Sequence, residues 1–347
     1  MNESVSAMIP SLDRRLSVAP MMDYTTRDFR YLLRLISRHT LLYTEMVVDR
    51  AVCDGDREHL LGHDPAEHPL ALQLGGSDPG WLAQAAAVGA DQGHDEINLN
   101  VGCPSDRVQS ATFGACLMAE PERVAEAVDA MRARVAVPVT VKTRIGIDDR
   151  DDYDFLFRFV EQVRAAGCRT FIIHARKAVL GGLTPKENRD IPPLLYGRVY
   201  QLKYDFPDCE IVINGGINDL YEAGEHLHQL DGVMIGREAC RNPWLLADAD
   251  ARIFGDDRAV PDRHAVAEQF MDYLEARRAA GADPRHGLRH AMHLFQGRPG
   301  ARAFRRHLSD HIHRRDATPR VLADALSLVP RDQDAYDEST TALDAHA

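Results

Sequence analysis

Glu210-Ile211-Val212-Ile213-Asn214-Gly215-Gly216 is followed further on by Gly232-Val233-Met234-Ile235-Gly236-Arg237. Each is a short apolar run that ends in glycine, the pattern of a buried strand running into a tight turn. Working outward, runs of the same kind recur at 16–19, 42–46, 70–74, 96–100, 137–143 and 170–174. Helix-like patterns separate them. Residues 79–88 and 121–135 open with proline in the first turn, where the missing N–H costs nothing, and 152–166 stops at Gly167. Eight strand–helix units predict an α/β fold, a (β/α)8 TIM barrel, over residues 12–255. A doubly wound open sheet is the rival, but no GxGxxG follows the first run. After Phe254 the strand signal ends. Helical patterns at 264–279, at 287–294 and from Pro299 predict a small all-α domain over 260–330, joined through 255–261.

The 347 residues carry 45% hydrophobic and 27% charged side chains, ordinary for a packed protein. No apolar run is long enough for a membrane span, and the first residues lack the basic and apolar regions of a signal peptide. The six cysteines include no CxxC pair, so neither zinc nor a disulfide framework is expected, and a cytoplasmic location is. Net charge is −12, yet residues 285–315 hold eight arginines against one acid, Asp310. That segment is +7 and the remainder −19, the distribution of a protein that binds a polyanion in one place. Residues 331–347 are polar and acidic and read as a disordered tail.

In this fold the chemistry lies at the C-terminal ends of the strands. Reading each run to its end yields Pro20, Met21 and Met22; Gln73; Asn100 and Cys103; Lys142; His174; Asn214, Gly215 and Gly216; and Gly236 with Arg237. Glycines after the last two strands let backbone N–H groups approach a phosphate, and Arg237 adds a charge-assisted contact. A Gly-Gly pair also serves as a bare turn, and aldolases, isomerases and flavin enzymes share the phosphate site. Lys142 suits a Schiff-base lysine or a cation facing the electron-rich edge of a flavin. Cys103, between Gly102 and Pro104 on a loop, suits a proton donor as well as a nucleophile. Other classes consistent with these residues are a barrel reductase acting on a free small molecule and a barrel that only binds RNA.

Asn98-Leu99-Asn100-Val101-Gly102-Cys103-Pro104-Ser105, with Phe113-Gly114-Ala115-Cys116-Leu117-Met118 after it, resembles the active-site loop of the tRNA-dihydrouridine synthases. Ala19-Pro20-Met21-Met22-Asp23, Val141-Lys142-Thr143-Arg144, Ile173-His174-Ala175-Arg176, Asn214-Gly215-Gly216 and Gly236-Arg237 are similar to that family's flavin-binding strand ends, and the likeness spans roughly 16–312. Leu183-Thr184-Pro185-Lys186-Glu187-Asn188-Arg189 and Gln296-Gly297-Arg298-Pro299-Gly300-Ala301-Arg302 are similar to the A subfamily, which acts at positions 20 and 20a of the D-loop. The resemblance implies FMN as cofactor, NADPH as reductant and tRNA as partner, with no metal and no membrane. It implies Cys103 as the proton donor to C5 of uridine. FMN is then held by Pro20, Met21, Met22, Gln73, Lys142, His174, Asn214, Gly215, Gly216, Gly236 and Arg237. Asn100, Lys186, Arg189, Arg302 and Arg305 are placed on the tRNA. Ala111 stands where the family leads one to expect glycine; a positive φ there would strain the loop by about 1 kcal/mol.

Overall fold

A computed structural model describes residues 12–331; the expected tail beyond 331 lies outside the described residues. The strands are β1 (Leu16–Val18), β2 (Leu42–Val48), β3 (Leu70–Gly75), β4 (Glu96–Val101), β5 (Val139–Arg144), β6 (Thr170–His174), β7 (Glu210–Asn214) and β8 (Gly232–Ile235). All pair in parallel in the order β1-β8-β7-β6-β5-β4-β3-β2. The ring closes between β1 and β2: the Val18 N–H donates to the Leu41 carbonyl at 3.0 Å, and the Leu41 N–H to that of Leu16 at 3.1 Å. The fold is a (β/α)8 barrel. Among the described residues no helix is long and apolar enough to cross a membrane.

Contacts divide the chain into two units, residues 12–27 with 39–236, and residues 28–38 with 237–331. The division falls at 236/237, not at the 255–261 linker expected from composition. Residues 28–38 join the second unit through packing that no local pattern announces. Tyr31 stacks on Tyr273 with ring centroids 3.8 Å apart, Phe29 meets His290 at 5.0 Å, and the Tyr273 hydroxyl donates to Asp28 at 3.0 Å. The long helix Arg263–Ala279 starts where Asp262 accepts from the Ala265 N–H at 2.8 Å. Residues 287–294, expected as one helix, instead form helix Pro284–Leu288 and the 3-10 turn Arg289–His293. Asp283 caps the helix and Pro284 opens it, so it begins earlier than its apolar residues imply. Phe270, Phe295, Phe304, Leu308 and Leu322 form the core of this unit.

Inside the barrel, Ala19, Leu41, Tyr43, Ala71, Ile172, Val212 and Met234 form an apolar cluster, with Met21 packed on it. β4 and β5 contribute differently. Glu96, Asn98 and Thr140 are all 0% exposed, at positions where barrels of this type ordinarily carry branched aliphatic residues.

Candidate active site

β4 alternates polar and apolar residues, Glu96-Ile97-Asn98-Leu99-Asn100-Val101, and all six are buried. Strand periodicity therefore puts Glu96, Asn98 and Asn100 on one face and aligns them along the barrel. At the strand end the Asn100 Oδ1 accepts from the N–H groups of Gly102 (3.1 Å) and Cys103 (2.9 Å), hooking the loop back onto the strand. The Cys103 carbonyl accepts from the Ala115 N–H at 2.9 Å. Cys103 is thus held through both its backbone polar groups, with its side chain half-buried.

The loop after Cys103 corrects one expectation. Ala111 has φ −91°, ordinary right-handed backbone, and the positive φ of 58° falls on Thr112. The Phe113 N–H bonds to the Val108 carbonyl at 3.2 Å and the Thr112 N–H to that of Gln109 at 2.9 Å. This is a Schellman helix ending, and its left-handed residue is the one after the cap. The strain expected at 111 therefore sits one residue later, on a β-branched side chain. Gly114 follows at φ +78°; a Cβ there would lie 2.4 Å from Val108 Cγ1 and 2.7 Å from the Cys103 carbonyl oxygen. Only glycine lets this segment close over Cys103.

β5 brings Lys142 and Arg144, and β6 brings His174, to the same end. The Lys142 Nζ donates to Asn214 Oδ1 at 3.0 Å, and Asn214 Nδ2 donates to the Met234 carbonyl at 2.8 Å. Burial, reinforced by the Arg144 charge, pushes the Lys142 ammonium down to about 7, while the Cys103 sulfur acts in the opposite sense. Burial and the charges of Arg144, Lys142, Arg176 and Arg189 hold His174 well below its ordinary value. The ring is therefore neutral at pH 7. Its Nδ1 accepts from the Arg176 N–H at 3.3 Å, which leaves the proton on Nε2. The site is rich in positive charge and suits an anionic or electron-rich ligand.

Arg144 was not singled out from the sequence beyond its place at a strand end. It is 4% exposed and braces the site: Nε donates to the Gly102 carbonyl at 2.8 Å, and Nη1 to those of Lys177 (3.0 Å) and Asn188 (3.2 Å). Asn188, 0% exposed, in turn binds both backbone groups of Val179 at 2.7 and 2.9 Å. Lys186 and Arg189 lie exposed on this braced segment.

After β7, Gly215 and Gly216 have φ of +113° and +77°, and the Tyr196 hydroxyl donates to the Gly215 carbonyl at 2.8 Å. A Cβ on Gly216 would meet Leu194 Cδ1 at 2.4 Å, and one on Gly215 would lie 3.3 Å from His174 Nε2. This turn is obligatory glycine, beside the one ring nitrogen of His174 that carries a proton. Around a Cβ on Gly236, by contrast, there is open space to 4 Å.

The first unit thus gathers Met21, Gln73, Asn100, Cys103, Lys142, His174, Asn214, Gly215 and Gly216 at the C-terminal strand ends. Pro20 is half-buried and Met22 is 56% exposed. Arg237 opens the helix Arg237–Arg241, and Arg302 and Arg305 stand exposed on the helix Ala301–His311, all in the second unit. Glu96 and Thr140 lie outside the strand ends because they act from beneath them, and Asn98 and Asn188 gain their roles only through their partners. The alternation within β4 is the sequence signal for Glu96 and Asn98.

Residues 17–329 match the family model described as Dihydrouridine synthase (Dus). A tRNA-dihydrouridine(20/20a) synthase of Shewanella oneidensis is 56% identical over 322 residues, covering 93% of this chain and 96% of its own. One of Salmonella typhi is 55% identical over 328 residues, covering 94% and 98%. Among solved structures, a 2-naphthoyl-CoA reductase complex aligns with a TM-score of 0.52 at 12% identity. That alignment covers 68% of this chain and about half (49%) of the other, a likeness of fold.

Proposed function

The chain belongs to the dihydrouridine synthase family, and from that premise we propose that it reduces the C5–C6 double bond of uridines 20 and 20a in tRNA, with FMN as cofactor and NADPH as reductant. The observation that carries this reading is the meeting of Cys103 with Lys142, Arg144 and a neutral His174 at the strand ends.

The residues fit a flavin mononucleotide. The glycine turn at Gly215 and Gly216 and the open backbone at Gly236 would receive its phosphate, together with Arg237. Pro20, Met21 and Met22 would contact its ring, and Gln73 and Lys142 its polar edge. His174 would donate from Nε2. When bound, the flavin supplies the hydride that adds to C6 of the uracil. Lys142 would offset negative charge at the polar edge of the bound ring; its proton affinity is lowered first by burial and then by the Arg144 charge. Cys103 delivers its thiol proton to C5, so hydride and proton add across one double bond. The backbone hook on Asn100 fixes where that proton is offered.

A stacked uracil cannot reach a barrel mouth and has to be turned out of the RNA, at a cost of a few kcal/mol. Phosphate contacts offset this. Lys186, Arg189, Arg302 and Arg305 are exposed and would make them, within a chain whose remaining charge is strongly negative. Replacing Arg302 with alanine is expected to lower the slope of log affinity against log salt by about 0.7–0.9, measured by titrating tRNA at several ionic strengths. An unchanged slope would remove Arg302 from the RNA surface. The six free cysteines accord with a reducing, cytoplasmic setting.

The direct test incubates the protein with FMN, NADPH and unmodified tRNA and maps dihydrouridine by reverse-transcription stops. Stops at 20 and 20a are expected. Stops elsewhere would keep the chemistry and move the site; bound flavin and NADPH oxidation without any stop would point to a small-molecule reductase.

A further inference from the structure

A chain of hydrogen bonds runs through the barrel interior from Glu96 to Cys103, and each link has a defined direction. Glu96 Oε1 accepts from the Thr140 hydroxyl at 2.6 Å and from the Tyr43 hydroxyl at 2.7 Å. Thr140 has a single hydroxyl proton, spent on Glu96, so toward Asn98 it can only accept, and Asn98 Nδ2 donates to it at 2.8 Å. That turns Asn98 Oδ1 toward Gln73, whose Nε2 donates at 2.8 Å. Gln73 Oε1 then accepts from Asn100 Nδ2 at 2.8 Å, which leaves Asn100 Oδ1 for the N–H groups of Gly102 and Cys103. The side chains are all buried, from 0% exposure at Glu96 to 9% at Asn100.

The two ends impose the same orientation. A carboxylate paired with Arg14 accepts only, and two backbone N–H groups donate only. Any amide in between that flipped would set donor against donor or acceptor against acceptor among buried side chains. We propose that Glu96 and Thr140, which lie beneath the active site, are positioning residues. Through Asn98 they set which end of the Gln73 amide faces the cofactor and keep Asn100 holding the Cys103 loop. The Gln73 half rests on the proposed flavin reading; the Cys103 half does not.

Glu96→Gln is the informative variant. Arg14 would draw the new amide oxygen to itself and turn the NH2 toward Thr140. Thr140 would then donate to Asn98, and the inversion would pass along until Asn100 set its NH2 against the Cys103 N–H. Thr140→Val cuts the chain instead of inverting it. The test is a double-mutant cycle on the full-length protein with two readouts. One is the rate of Cys103 alkylation by iodoacetamide, relative to half-buried Cys53 in the same molecule and followed by peptide mass spectrometry. The other is the FMN dissociation constant. Each single variant is expected to raise the Cys103/Cys53 ratio and to weaken FMN binding, each by about tenfold. The double variant should match Thr140→Val alone, because without the hydroxyl Glu96 has no path to the site. An unchanged ratio in Thr140→Val, effects that multiply in the double variant, or a parallel rise at Cys53 would each overturn the proposal. If Glu96→Gln does not fold, the decisive pair is Thr140→Ser, expected within about twofold of the parent, against Thr140→Val. A parent protein that binds no FMN would defeat the flavin reading alone, and the alkylation ratio would still judge the relay.

Discussion

With Cys103 replaced by alanine, dihydrouridine formation is expected to fall by about 10²–10⁴-fold, while flavin binding and flavin reduction by NADPH persist. The size follows from removing a positioned acid from a step that adds a proton and a hydride to one double bond. The separation of the two half-reactions follows from geometry. Cys103 is tied to the loop after β4 through Asn100 and Ala115, whereas the expected flavin contacts Lys142, His174 and Asn214 come from β5, β6 and β7. Single-turnover oxidation of the pre-reduced protein by tRNA, beside stopped-flow reduction by NADPH, measures both. Equal loss in the two would mean that the variant disturbs the flavin and that Cys103 is not the acid. Normal turnover would move the proton to another group.

Replacing Arg14 with alanine is expected to cost about 3–5 kcal/mol of barrel stability, read as a lowering of the unfolding midpoint by about 5–10 °C. Arg14 is 6% exposed and joins strands distant in sequence at the end of the barrel away from the site. Its Nε donates to Glu96 at 2.7 Å and its Nη1 to Glu210 at 2.8 Å. Burial alone disfavours the guanidinium charge, but the two carboxylates outweigh it and raise its proton affinity. Without it buried Glu96 and half-buried Glu210 lose their cation and keep only hydroxyl donors, from Thr140 and Tyr43 on the one and Thr170 on the other. Burial already raises the Glu210 carboxyl above its ordinary value against the pull of Arg14, and the variant removes that pull. A carboxyl whose folded-state pKa exceeds its unfolded value penalises the fold above the folded pKa and ceases to do so below the unfolded one. The loss in Arg14→Ala should therefore be greatest near neutrality and shrink as pH falls toward 4, in thermal melts across that range. A pH-independent difference would mean that Arg14 contributes packing only.

Both expectations draw on residues that the amino-acid order revealed unequally. Cys103 was legible because Gly102 and Pro104 take it out of any periodic pattern. Lys142 and His174 were legible because a polar residue ends an apolar run. The strands read well for the same reason: a buried parallel strand must be a continuous short apolar run, and β6, β7 and β8 have the bounds expected of them. Arg14 gave no signal, since an arginine before a strand looks like any surface charge until Glu96 and Glu210 converge on it. Asn188 lies within a recognisable motif, but its part in folding the 179–189 segment shows only in its burial and its bonds to Val179. Residues 28–38 fall inside the span 12–255 expected of the barrel, and contacts with Tyr273 and His290 set them in the other unit.

The amino-acid order by itself determined the eight-fold strand–helix repeat, the strand-end residues and the basic segment near the C-terminus. Each of these is a local property: a hydrophobic period, a turn glycine, a run of like charges. Only the tertiary structure decided which polar groups meet. It put the positive φ on Thr112 instead of Ala111, because helix-ending hydrogen bonds count residues from the last turn. It braced Gly102 with Arg144, and it lined up Glu96, Thr140, Asn98, Gln73 and Asn100 head to tail. Those partners come from different strands, and their register and direction exist only once the barrel has closed around them.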